Sequence, residues 1–156
     1  MPEIRAARFP EDRDTVEAIF REFILSPQVS LAYQDYEPEL AALPGKYAPP
    51  LGTVLLAWQG GRAVGCVALR PVDEAIGEMK RLYVRPAGRG RGLGLGRDLV
   101  EAVVEAARAA GYRELRLDVL PEFERARALY ERAGFRPAPA VTYNPVPGAE
   151  FLGLRL

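Results

Sequence analysis

The run Arg89-Gly90-Arg91-Gly92-Leu93-Gly94 carries the clearest chemical meaning in the chain. It follows an extended stretch ending in Leu82-Tyr83-Val84. Apolar residues at helical spacing come next: Leu95, Leu99, Val103, Ala106 and Ala110. Glycines at the mouth of a helix leave backbone N–H groups uncrowded by Cβ atoms. The first-turn amides have no intrahelical partner, and the helix dipole adds positive potential there. Such a loop suits a phosphate or diphosphate; the plainer alternative is a connector that needs unusual dihedrals. Other chemistry is bounded by composition. The absence of histidine excludes a histidine triad or a histidine zinc site, and no metal is expected. Cys66 is the sole cysteine, so no intramolecular disulfide forms, and its apolar surroundings read as core.

The elements that must position this loop follow from hydrophobic periodicity. Ile4 to Arg8 reads as a short strand, and Pro10-Glu11-Asp12 opens a helix with Val16, Ile19, Phe20 and Phe23 on one face. A second short helix is predicted over Pro38 to Leu43. Thr53 to Trp58 and Ala63 to Leu69, joined by Gln59-Gly60-Gly61-Arg62, form a hairpin. Glu78 to Val84 is a further strand. After the glycine loop and its helix, Gly111 closes the helix and Leu115 to Val119 returns as a strand. Phe123 to Ala133 is a last helix, and strands around Phe135–Val141 and Phe151–Leu156 complete the chain. Strand, helix, strand over residues 78–119 is a crossover, which makes those two strands parallel neighbours. The whole is an α/β chain of α+β type: one domain over 1–156, with a mixed, mostly antiparallel sheet and helices on both faces.

Three phosphate-binding loops can be compared with residues 88–96. The triphosphate loop needs Gly, four residues, then Gly-Lys-Ser/Thr, and no such segment exists. The dinucleotide fingerprint needs glycines at offsets zero, two and five, which the glycines at 88, 90, 92, 94 and 96 never satisfy. Arg89, Gly92 and Gly94 instead satisfy Arg/Gln, two residues, Gly, one residue, Gly/Ala. This resembles the acetyl-CoA diphosphate loop of the GNAT superfamily of N-acetyltransferases. Glu78 to Pro86 is similar to the strand before that loop, and Ala126 to Phe135 to the family's second signature, a helix ending in Gly-Phe.

The resemblance implies acetyl-CoA as acetyl donor and a primary amine of a small molecule or amino acid as acceptor. Transfer is direct within a ternary complex; a peptide or protein amino group, or an acyl-CoA sensor without catalysis, are the alternatives. It implies that the two parallel strands splay, so that the donor's pantetheine arm bonds to the backbone of Leu82, Tyr83 and Val84. The amides of Arg89, Gly90, Arg91, Gly92, Leu93, Gly94 and Leu95 wrap the diphosphate. Tyr130 matches the family's tyrosine acid, which protonates the leaving thiolate. Asp118 and Glu78 both stand where relatives carry a catalytic carboxylate, and the base is left open between them. The family's asparagine near the start of the last helix is missing: that neighbourhood reads Pro121-Glu122-Phe123-Glu124, and the only asparagine is Asn144. For the acceptor, Tyr33, Tyr36 and Tyr143 are candidate groove residues. Arg81 and Lys80 either greet an anionic acceptor or form a solvated charge run, with the solvated run favoured.

The 21 basic and 21 acidic residues balance, which argues against a nucleic-acid or acidic-membrane partner. The start of the chain lacks the apolar core of a signal peptide, and no run reaches membrane-spanning length. A cytoplasmic monomer or homodimer is expected.

Overall fold

The computed structural model describes residues 2–90 and 94–156. Seven strands lie in one sheet, in the order β1 (Glu3–Ala6), β2 (Thr53–Gln59), β3 (Arg62–Pro71), β4 (Ile76–Val84), β5 (Glu114–Val119), β7 (Glu150–Arg155), β6 (Arg136–Pro137). Neighbours are antiparallel except β4 and β5, which are parallel as the crossover through α3 (Leu95–Ala109) demands. Helices α1 (Arg13–Leu25) and α2 (Tyr36–Ala41) cover one face, α3 and α4 (Glu124–Arg132) the other.

Strands β2 and β3 are apolar at nearly every inner position because both faces are covered. On β3, Val67 and Leu69 join Leu99, Val103, Leu115 and Leu117 in the core under α3, while Cys66 and Ala68 join Val16, Ile19, Phe20 and Leu40 under α1 and α2. Neighbouring residues on a strand point to opposite faces, which divides one apolar run between two cores.

Several element bounds move for local reasons. The final segment pairs only over Arg136–Pro137, not as far as Val141, because Pro137 and Pro139 lack the N–H a ladder needs. The short second helix starts at Tyr36, with Pro38 in its first turn, where a missing N–H costs no helical bond. Helix α1 begins at Arg13; the Asp12 carboxylate accepts from the Arg8 amide at 2.8 Å.

Candidate active site

The site begins where β4 and β5 stop pairing. Their parallel register runs through Ile76–Glu114, Gly77–Leu115 and Glu78–Arg116. Beyond it, β4 continues against β3 alone and β5 against β7 alone. Two strand edges therefore face each other across a gap, with backbone groups free for a ligand. The gap opens a cleft of about 700 Å³ lined by Met79 to Val84 on one side and Asp118 to Leu120 on the other. Phe23, Tyr33, Gln34, Leu129, Tyr130 and Asn144 close its walls.

A bulge shapes the β4 side. Cys66 stands opposite Tyr83 and Ala68 opposite Lys80, so Val67 faces two residues, Arg81 and Leu82. Arg81 takes a left-handed backbone, φ 63°, unusual for a residue with a side chain. The extra residue turns the strand and re-aims its backbone at the cleft. Arg81 is buried and its guanidinium fully engaged, donating to both Glu39 carboxylate oxygens at 3.0–3.2 Å and to Gln34 Oε1 at 2.6 Å. Glu39 also accepts from the Tyr47 hydroxyl at 3.0 Å. Arg81 lines the cleft, but its guanidinium is committed to α2 and the turn before it.

The far end of the cleft meets a second hollow of about 350 Å³ at the start of α3, sharing Val84, Arg89, Gly96, Arg125 and Leu129 with it. Four exposed arginines, Arg89, Arg97, Arg125 and Arg132, line this hollow with Gly88, Gly90, Gly94 and Leu95. Gly94, at φ 63°, caps α3 without a side-chain bond, which leaves the first-turn amides available. Gly88 permits the close approach of the preceding turn: a Cβ there would lie 2.9 Å from the Val64 carbonyl oxygen. This donor set, cations around a bare helix N-terminus, fits a diphosphate. Arg91, Gly92 and Leu93 lie outside the described residues. Arg89 donates through Nε to the Val84 carbonyl at 2.7 Å, and its guanidinium sits 5.7 Å from the centre of the Tyr83 ring.

The titratable groups divide by depth. Tyr130 is 5% exposed on α4, packed against Phe135 with ring centres 5.8 Å apart. Burial first, then the negative charge of Asp118, pushes its phenol pKa above the ordinary tyrosine range. Asp118 accepts from Asn144 Nδ2 at 2.8 Å, and Asn144 is itself tied to the Val146 amide at 3.0 Å. Glu78 is 2% exposed, does not line the cleft, and pairs with Arg70 at 2.9 Å. Lys80 lines the cleft and is 7% exposed; burial pulls its pKa down while Asp118 and Glu78 pull it back up.

The cleft thus gathers Tyr130, Asp118, Leu82, Tyr83, Val84, Arg89, Tyr33 and Arg81. Glu78 stays beneath its wall. Tyr143 is 71% exposed and reaches the cleft only through an edge contact with Tyr33, ring centres 6.1 Å apart. Tyr36 packs into the core under α1. The solvated charge run expected at Lys80-Arg81 is corrected by burial of both residues, because α2 and the 31–36 loop fold over this strand. Glu78 pairs with Arg70 across the β3–β4 ladder, away from the cleft. Asn144 was visible in the sequence beside the acceptor groove but without a partner, and Gln34, Arg97, Arg125 and Arg132 were not foreseen. The sole asparagine of the chain was the one available signal.

The model of the acetyltransferase (GNAT) family matches residues 16–135. An uncharacterized N-acetyltransferase of Schizosaccharomyces pombe is 36% identical over 155 residues, 98% of this chain and 94% of its own. An acetyltransferase structure from Streptococcus agalactiae superposes with a TM-score of 0.80 at 21% identity, over 99% of this chain and 98% of that one. A Salmonella typhimurium acetyltransferase structure, solved with its cofactor acetyl-CoA, gives 0.70 at 19% identity, over 99% and 94%. The two structures are likenesses of fold.

Proposed function

Since this chain belongs to the acetyltransferase (GNAT) family, we propose that it moves the acetyl group of acetyl-CoA directly onto a primary amine of a small molecule or amino acid. The observation that carries this reading is a cleft that adjoins a second hollow, the two sharing Val84, Arg89, Gly96, Arg125 and Leu129. The hollow holds the arginine-ringed helix N-terminus, and the cleft holds Tyr130 and Asp118 in the split between β4 and β5. Acetyl-CoA supplies the acetyl group activated as a thioester.

The residues then have separable tasks. Arg89, Arg97, Arg125 and Arg132 hold the diphosphate with the amides that open α3. Backbone of Leu82, Tyr83 and Val84 receives the pantetheine arm as an added strand would be received, and the N–H groups past the bulge steady the developing oxyanion. Tyr130, a phenol already protonated at neutral pH and held more firmly so by burial, gives its proton to the departing sulfur. Asp118, on the cleft wall, takes the proton of the amine, directly or through water. Glu78, turned to Arg70, serves to hold the strand.

Contacts across the mouth favour a small acceptor over a peptide. The Gln28 amide donates to the Glu122 carboxylate at 3.1–3.2 Å, and Tyr33 meets Tyr143 edge to face. Both join the 26–36 loop to segments on the opposite side. The test is incubation with acetyl-CoA and a panel of amines, with thiol release and N-acetylated product followed together. Acetyl transfer to small amines is expected. Tight acetyl-CoA binding without transfer to any amine, peptide or protein would replace the enzyme with a sensor.

A further inference from the structure

On the acceptor side of the cleft, one buried hydroxyl lacks a hydrogen-bond partner and one ammonium lacks an ion-pair partner among the described residues. The Tyr33 hydroxyl oxygen is buried with no hydrogen-bond partner. The Lys80 side chain is nine-tenths buried, and no described carboxylate lies within 4 Å of its ammonium. Both residues line the cleft. Arg81 cannot share their role, because Glu39 and Gln34 occupy its guanidinium.

Lys80 and Asp118 also lie on the same face of the sheet. Their strand neighbours Met79, Leu117 and Val119 enter the core under α3, which by alternation turns Lys80 and Asp118 toward α1 and the 31–36 loop. One carboxylate, one ammonium and one hydroxyl thus share one wall of the cleft, across the strand split. A plain amine entering here as a cation would meet the Lys80 ammonium in a poorly solvated space, where like charges repel strongly. An acceptor with its own anionic group would cancel that repulsion, accept from the Tyr33 hydroxyl and pair with the Lys80 ammonium.

Resting on the acetyl-transfer reading, we propose that the acceptor is an amine bearing a carboxylate, received by Lys80 and Tyr33 while its amino group lies against Asp118. The substrate class is amino acids and their close analogues, and Lys80 is the residue that selects it.

The test compares kcat/KM for each common L-amino acid with that for its carboxamide, which keeps the amine and removes the charge. Polyamines and peptide amides serve as carboxylate-free acceptors. The acids accepted by the wild-type protein are expected to exceed their amides by about 10- to 100-fold, the range for one lost hydrogen bond to a charged group. In Lys80→Gln that ratio collapses toward one through a rise in KM for the acid, and in Tyr33→Phe it falls partway. If Lys80→Gln does not fold, Lys80→Met, of similar length, replaces it, and Tyr33→Phe stands independently. Transfer to amines with equal preference for acid and amide would overturn the inference and leave the acetyl-transfer reading standing. An unchanged ratio in both variants would do the same, and would reduce Lys80 to a counter-ion for Asp118. No transfer to any acceptor overturns the reading beneath it.

Discussion

At the scale of single residues, Tyr130 and Asp118 have opposite proton duties in the proposed transfer. Tyr130→Phe keeps the ring against Phe135 and removes only the proton. If thiolate protonation limits turnover, kcat is expected to fall by about 10²-fold, the lower end for a general acid, while acetyl-CoA affinity measured by calorimetry stays put. Because burial holds the phenol above its usual range, the wild-type rate should show no loss of this acid through mildly alkaline pH. Asp118→Asn is expected to abolish the acidic limb of the pH–rate profile, and Glu78→Gln to leave that limb in place. Full activity in Tyr130→Phe at saturating acceptor would return the tyrosine to the core. The position of Tyr130 on the last helix was legible in the sequence because that helix carries a local signature. Lys80 and Arg81 were not. A charged pair inside a strand reads as solvent-facing, and only partners 42 and 47 residues away, Glu39 and Gln34, bury Arg81.

At the scale of elements, β4 sets the geometry of the site, and its bulge is held from outside the sheet. Arg81, in a left-handed conformation, is clamped to α2 by Glu39. Glu39→Gln leaves a guanidinium with 1% side-chain exposure facing a neutral amide. Glu39 itself is 18% exposed, so the loss is set below that for a fully buried pair, at about 2–3 kcal/mol. Urea unfolding measures this directly, and a loss under about 0.5 kcal/mol would mean that solvent screens the pair as it does on surfaces. The parallel β4–β5 pair could be read from the crossover rule, since a strand-helix-strand unit leaves little freedom. The bulge could not. It depends on how β3 and β4 share a register, and the strand shows no glycine at Arg81 to mark the positive φ.

At the scale of the whole molecule, a chain with no net formal charge lines one hollow with Arg89, Arg97, Arg125 and Arg132 and sets Tyr130, Asp118 and Lys80 in the cleft that adjoins it. The glycine loop and helix gave away the first end from local sequence. The second end is assembled from α1, the 31–36 loop, β4, β5, α4 and the 144 region, whose meeting is a tertiary fact. Cys66 is fully buried in the core under α1, away from the cleft lining, and burial pushes its thiol pKa up. In the proposed reaction it is therefore a poor acetyl carrier, and direct transfer between the two substrates is expected. The measurement that tests this most directly is a matrix of initial rates, with acetyl-CoA and an accepted amine varied together. Direct transfer in one cleft gives intersecting double-reciprocal lines and no acetylated protein after incubation with acetyl-CoA alone. Parallel lines, with an acetyl group recovered on the protein and passed on to the amine, would contradict it.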